Sequence, residues 1–347
     1  MGNVLQDDIE NILNNEIIPW QNLEGKSILV SGATGMLGSY IVETLAALNK
    51  GVLKNKCKIF ALCRSEKKAK LKLLEDTLAQ IELVIGDICD LTDFDEHIDY
   101  IIHTASPASS KAYGKDPIGT IDANVIGTKN LLKIADKSKS DCFVFISSGE
   151  VYGVTGDLRY IKESDYGYID ISDVRACYAE SKRLAENMCV AWRKQHNLNA
   201  KIVRLFHTYG STMDLNDGRV FSDFVNNIVN NKNIILHSDG SDVRALCYIS
   251  DSVTAILLVL LKQTDSYVYN VGNPTQETTI LDFANRLVNL FPEKNLEVIV
   301  DISQKSKEYI SSPLSRHCPS IDKINQLGWS PVVDIETGFA KVIRNLE

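Results

Sequence analysis

Tyr178 and Lys182 stand at positions i and i+4 in the run RACYAESKRLAEN. On a helix, residues at that spacing share a face, so the phenol and the ammonium point the same way. An ammonium beside a phenol stabilises the phenolate and lowers its pKa. Such a phenolate takes a proton from an alcohol while the alcohol carbon releases a hydride. The spacing alone recurs by chance in helices. It gains weight from FVFISSGEVYG upstream, an apolar strand-like run that ends in Ser147 and Ser148. A serine at a strand end can hydrogen-bond the same alcohol and orient it. Glu150 lies two residues beyond Ser148. Its carboxylate has two readings, a group acting on the atom beside the new carbonyl or a structural hydrogen-bond acceptor.

A released hydride needs an acceptor. The run SILVS leads into Gly32-Ala33-Thr34-Gly35-Met36-Leu37-Gly38, and a helical pattern follows. Glycines at G-x-x-G-x-x-G spacing allow a tight turn and a close approach to a pyrophosphate, which the next helix meets with free N–H groups and a positive dipole end. The strand-turn-helix setting is what a dinucleotide turn requires. Gly32, Thr34, Gly35, Met36, Leu37 and Gly38 are therefore expected to bind a nicotinamide dinucleotide. An acid closing the second strand would favour NAD. Here that strand closes on Cys63 and Arg64. Arg64 can meet a 2′-phosphate, stack on adenine, or simply be a solvated charge in RSEKKAK. NAD is the expected cofactor and NADP stays open. Asp87, at another strand end in GDICD, is expected at the adenine amino group, with Ile88 beside it.

These groups need a scaffold. Short apolar runs (CKIFALC, IELVIGD, IDYIIHTA, CFVFISS, AKIVRLF) alternate with helical patterns such as DPIGTIDANVIGTKNLLKIADKS. Continuous apolar strands alternating with helices imply a parallel sheet covered on both faces. The expected fold is α/β, a Rossmann-type doubly wound parallel sheet with a smaller C-terminal α/β substrate-binding domain. Residues 25–203 and 247–273 form the dinucleotide-binding domain in this reading, and 204–246 and 274–347 the second domain. Residues 1–24 are read as an N-terminal helical extension, because Leu5, Ile9, Ile12 and Leu13 recur at helical spacing before Pro19.

Composition excludes several functions. The chain has 347 residues, 44% hydrophobic and 24% charged, with formal net charge -8. An acidic protein repels nucleic-acid backbones, so nucleic acid is not an expected partner. Any anionic ligand must be held by local arginines. The eight cysteines form no C-x-x-C pair, and most lie in apolar runs. That pattern reads as buried thiols in a reducing cytoplasm, with no metal site. The N-terminus lacks a basic then apolar leader, and Gln6 stands where a myristoylation signal takes Ser or Thr. The longest strongly apolar run, AILLVLL, is too short to span a bilayer, so no membrane association is expected.

From Lys26 onward the sequence resembles the extended short-chain dehydrogenases/reductases of the NAD-dependent epimerase/dehydratase family. Within that family it is most similar to the UDP-glucuronate decarboxylases. The carrying segments are GATGMLG, HTASPASSKAYGKDPIGTIDANVIGT, SSGEVYG, RACYAESKRLAE, RLFHTYG, NDGRVFSDFV, GSDVRALCYISD, VGNPTQETTILDFA and LGWSPVVDIETGF. The resemblance implies a nucleotide-diphosphate sugar as substrate and a 4-keto sugar as intermediate. Tyr178 would be the base, Lys182 its activator, Ser148 the orienting hydroxyl and Glu150 the family's glutamate. Ala105, Ser106 and Asn124 would line the cofactor. Tyr113 and His207 would meet the substrate, and Arg219, Arg244 and Arg316 would hold its diphosphate, a task suited to bidentate guanidinium groups. Family members commonly pair through two helices, here about 118–137 and 175–196, so a homodimer is expected.

The sequence also departs from its relatives. Gly149 replaces a polar residue that precedes the glutamate. In the TDP-glucose 4,6-dehydratases that residue is the acid that protonates the leaving hydroxyl. His207 replaces the asparagine of RLFNTYG, and Ser311 and Ser312 stand where the decarboxylases tend to be acidic. Four outcomes follow one oxidation: loss of carbon dioxide from a β-keto acid, epimerisation, elimination of water, or release of the ketone. A reading of another class is a non-catalytic nicotinamide-binding redox sensor. Such modules usually lose the Tyr/Lys pair, which this chain keeps.

Overall fold

The structure is a computed structural model that describes residues 2–156, 158–302 and 314–347. Ser311 and Ser312 lie outside the described residues.

Seven short strands, rich in β-branched, leucine and aromatic residues, build one parallel sheet. They are β1 (Ser27–Ser31), β2 (Lys58–Cys63), β3 (Ile81–Ile85), β4 (Tyr100–His103), β5 (Cys142–Ser148), β6 (Ala200–Leu205) and β7 (Val268–Val271). Their spatial order is β7-β6-β5-β4-β1-β2-β3. The chain winds outward from β1 through β2 to β3, returns to β4 on the other side, and winds outward again. Between β1 and β4 the direction reverses, and in open parallel sheets ligands bind at that crevice. Ser31 pairs in register with His103 there, so the loops after both strands open at the same point.

Helices cover both faces. The elements used below are α1 (Gly2–Leu13), α2 (Met36–Gly51), α3 (Pro117–Ser138), α4 (Ala176–His196) and α5 (Ile249–Leu261). The apolar run around 255–261 belongs to α5, which is buried along its whole length. It is an inner helix of the core, and among the described residues no helix is long and apolar enough to cross a membrane. All eight cysteines are free thiols, six of them buried and Cys89 and Cys177 half-buried.

Among the described residues, the segments after β6 form three small sheets. Residues 243–245 pair with 277–279 and 316–317, 234–236 pair with 298–300, and 208–209 pair with 247–248. They sit beside the carboxyl ends of the main strands and close the far side of the crevice. Helix α1 is bound into the body through Asp8. Its fully buried carboxylate accepts from Tyr40 at 2.8 Å, Tyr248 at 2.6 Å and Lys341 at 2.7 Å.

Candidate active site

The turn after β1 requires glycine at two positions. Gly32 has φ +70, and a Cβ there would meet the Ala105 backbone at 2.8 Å. A Cβ on Gly38 would lie 2.1 Å from the Gly32 carbonyl oxygen. Helix α2 starts at Gly35 with no side chain capping its first N–H groups, so these donors remain for an anion. Thr104 ties the β4 loop to β1 by donating to the Ser31 carbonyl at 2.6 Å. Asn124 on α3 donates to Ser181 at 2.9 Å, while its buried Oδ1 has no partner. Tight glycines, an uncapped helix start and an orphaned buried amide oxygen fit a dinucleotide running across the crevice. Met36, Leu37 and Ser106 line the crevice cavity, whereas Gly32, Thr34, Gly35 and Ala105 lie outside its lining.

The other cofactor candidates divide. Arg64 is 82% exposed with one nitrogen 4.0 Å from Asp87, a loose surface pair. Asp87 also accepts from the Cys89 amide at 2.9 Å and so shapes its own turn. Ile88 is a packing residue. It is buried against Gly127 of α3, where a Cβ would come within 2.2 Å of it.

Tyr178, Lys182, Ser148, Glu150, Tyr113, His207, Arg219 and Arg244 line one cavity of about 900 Å³. Helix periodicity brings Tyr178 and Lys182 onto the face that covers the end of β5. The Tyr178 hydroxyl lies close to the Ser148 side chain, and its ring stacks on Tyr113 with centroids 5.3 Å apart. Burial lifts the phenol well above its ordinary value. The nearby Ser148 hydroxyl opposes that rise, Glu150 and Tyr113 add to it, and Arg219 opposes it. Lys182 is buried and donates to the Ile146 carbonyl at 2.8 Å. Burial pulls its ammonium down to about 7, against the pull of Glu186. The sequence reading gives Lys182 the task of lowering the phenol. In the protein alone burial prevails over that pairing, and the tyrosine rests as a neutral phenol. Bound NAD supplies the hydride acceptor and, later, the donor. Lys182 places a proton-bearing amine behind the tyrosine, and Ser148 places a second hydroxyl beside the phenol.

Arg219 and Arg244 both line the cavity, each held by the aspartate two residues before it. Arg219 pairs with Asp217 through two nitrogens, and Arg244 with Asp242 at 3.0 Å. These pairs orient the guanidinium groups and leave further donors for a diphosphate. Arg316 departs from expectation. It lies outside the cavity lining and pairs with Glu277 at 2.8 Å. Successive strand residues face opposite ways, so the cavity receives its neighbour His317 instead. Sequence reasoning missed His317 and Arg175. Arg175 lines the cavity 3.7 Å from Glu150. Its signal was its place one turn before Tyr178.

A family model described as the NAD-dependent epimerase/dehydratase family matches residues 28–272. The chain belongs to that family. Like other extended short-chain dehydrogenases/reductases of this family, it is an NAD-dependent enzyme. It is 32% identical over 322 residues to UDP-glucuronic acid decarboxylase 1 of Danio rerio, covering 92% of this chain and 72% of the relative. It is 31% identical over 313 residues to UDP-glucuronic acid decarboxylase 3 of Arabidopsis thaliana, covering 90% and 86%. In fold this family member resembles an epimerase from Methanothermobacter thermautotrophicus, with TM-score 0.81, 22% identity and 95% of each chain covered. It also resembles UDP-glucuronic acid 4-epimerase from Bacillus cereus, solved with UDP-glucuronic acid and NAD, with TM-score 0.73, 21% identity, and 92% and 98% covered.

Proposed function

We propose that this enzyme oxidises a nucleotide-diphosphate sugar at a ring hydroxyl through Tyr178, forms a 4-keto sugar, and completes a reaction closest to the decarboxylation of UDP-glucuronate. One observation carries the reading. Tyr178, Ser148, Glu150 and buried Lys182 line the same cavity as Arg219 and Arg244. Acid/base groups for a hydroxyl and cations for a diphosphate thus share one site. Tyr178 takes the hydroxyl proton as hydride leaves the carbon. A carboxylate next to the resulting ketone is lost as carbon dioxide, and return of the hydride closes the cycle. Arg175 lines the cavity beside Glu150 and supports recognition of a sugar carboxylate there. Retention of Tyr178, Lys182 and Ser148 together weighs against a non-catalytic sensor.

The likeness to UDP-glucuronic acid decarboxylases over most of the chain supports the substrate, and with it lyase chemistry built on an oxidoreductase step. The departures at Gly149 and His207 support a second reading on the same scaffold, action on another nucleotide-sugar by epimerisation, or by dehydration through a route that needs no acid at position 149. The domain division stated above, a cytoplasmic location and a homodimer complete the proposal. Mass spectrometry of products from UDP-glucuronate with NAD tests it. Loss of carbon dioxide with formation of the nucleotide-pentose is the expected result. Unchanged UDP-glucuronate, with isomerisation or water loss in another nucleotide-sugar, would replace decarboxylation with the second reading.

A further inference from the structure

Three features that share no sequence neighbourhood meet at one point. Gly149 follows the catalytic strand, His207 follows β6, and His317 sits in the short strand 316–317. A side chain on Gly149 would have its Cβ 2.6 Å from Cε1 and 2.8 Å from Nε2 of His317. The imidazole therefore fills the space that a side chain at position 149 would take. His317 Nδ1 lies 2.9 Å from His207 Nε2, so the rings share one hydrogen bond. His207 holds φ 38 to make it, a backbone state that His and Asn enter more readily than most residues. Both rings line the cavity. Among the described residues His317 Nε2 is buried without a partner. The Gly149 backbone lies close enough to favour a proton on the ring, although not aligned for a hydrogen bond. Buried polar groups are nearly always paired, and an exception calls for an explanation, a catalytic role among them.

We propose that His207 and His317 form a neutral proton relay that serves the sugar carbon beside the new carbonyl, in place of the side chain absent at position 149. The proposal rests on the 4-keto reading above. Burial holds both rings below the ordinary histidine value. Arg244 acts on both in the same direction and Arg219 on His207, whereas Glu150 pulls His317 upward. Neutral rings still pass protons when one is taken in as another is given out. Loss of carbon dioxide breaks the C5–C6 bond and leaves its electron pair in an enolate with the C4 carbonyl. His317 gives its Nε2 proton to C5, forming the C–H bond. His207 passes its Nε2 proton to His317 Nδ1 and takes one from water at its own Nδ1. The hydroxide left behind combines with the carbon dioxide as bicarbonate. Both rings stay neutral with their tautomers exchanged, and solvent resets them before the next cycle.

The test uses the full chain with NAD and UDP-glucuronate in D2O, comparing wild type with His207→Asn and His317→Gln. Asparagine tolerates the backbone at 207, and glutamine keeps a donor at 317, but neither relays a proton. Three quantities are read: NADH absorbance for the first oxidation, kcat and KM for the whole cycle, and the stereochemistry of deuterium at C5 by NMR. The relay requires that both variants still form NADH. It also requires that kcat falls about 100-fold, the scale of a lost acid/base group, and that deuterium enters both C5 positions. Wild-type kcat with a single labelled position in both variants would overturn it. If wild type releases no carbon dioxide, the decarboxylation reading fails separately. The relay is then read as hydrogen exchange beside the carbonyl of whichever nucleotide-sugar wild type oxidises. Exchange lost in both variants supports the relay, and exchange retained overturns it.

Discussion

At the scale of single residues, the site depends on how burial acts on ionisable groups. Lys182 has no carboxylate partner at hydrogen-bond distance, and burial brings it to about 7. An unfolded lysine stays protonated to near its ordinary value of 10.5. Between those values the folded protein binds fewer protons than the unfolded chain, so this group makes stability rise with pH over that window. Below about 7 its full cost is present. Lys182→Met is expected to melt higher than wild type at pH 6 to 7, with the gap shrinking towards pH 10 in calorimetry, while turnover is lost. Equal melting shifts at all pH values would contradict this account. Tyr178→Phe should lower turnover at least about 100-fold with the fold intact, seen as absent NADH formation on mixing with substrate. The Tyr/Lys pair was legible because helix periodicity alone fixes it. His317 was not, since the face of a two-residue strand depends on its register with 243–245, a pairing with no periodic signature. The tilt of Lys182 to the Ile146 carbonyl was hidden for the same reason: it depends on where the end of β5 lies.

At the scale of elements, α4 carries more than its motif. Glu186 is one further turn along the face of Tyr178 and Lys182. It accepts from Ser147 at 2.6 Å, and Arg204 of β6 pairs with it at 2.6 and 2.9 Å. Arg204 continues to the Tyr152 hydroxyl at 2.8 Å, and Tyr152 donates to Asn270 of β7 at 2.6 Å. This chain locks α4 against three strands and sets where Tyr178 meets Ser148. Glu186→Ala leaves a buried guanidinium unpaired, which costs about 3–5 kcal/mol. Urea unfolding should show a loss of that size, and a change below about 1 kcal/mol would mean the network is not what fixes the helix. The turn after β1 makes a second element-scale prediction. Gly38→Ala places a methyl against the Gly32 carbonyl and pushes the turn open, so NAD binding by calorimetry should weaken at least tenfold. The strands themselves were readable, because both faces of a parallel sheet are covered and each strand becomes an unbroken apolar run. The Glu186–Arg204 lock was not readable, because residues 18 apart in sequence meet only once β6 and α4 are placed.

At the scale of the whole molecule, two helices leave apolar surface facing outward. On α3, Ile118 is 71% exposed and Ile121 and Ile126 are also exposed, and on α4 Leu184 is 49% exposed. The two helices pack side by side, and both present exposed apolar side chains. Large exposed apolar areas are uncommon on a monomer. Against a second copy, the pair of helices would form a four-helix layer related by a twofold axis, covering some of these side chains. The same helices carry Asn124, Tyr178 and Lys182. Pairing would therefore brace the site as well as bury apolar surface. The double variant Ile118→Asp, Leu184→Asp puts four carboxylates into that layer. Wild type should run at twice the monomer mass in light scattering and the variant at the monomer mass, with its fold kept and kcat lowered more than its affinity for NAD. A wild type that stays monomeric at high concentration would refute the pairing. A monomeric variant with full kcat would keep the pairing but remove its role in holding α4, leaving the Glu186–Arg204 lock to position Tyr178 within each chain.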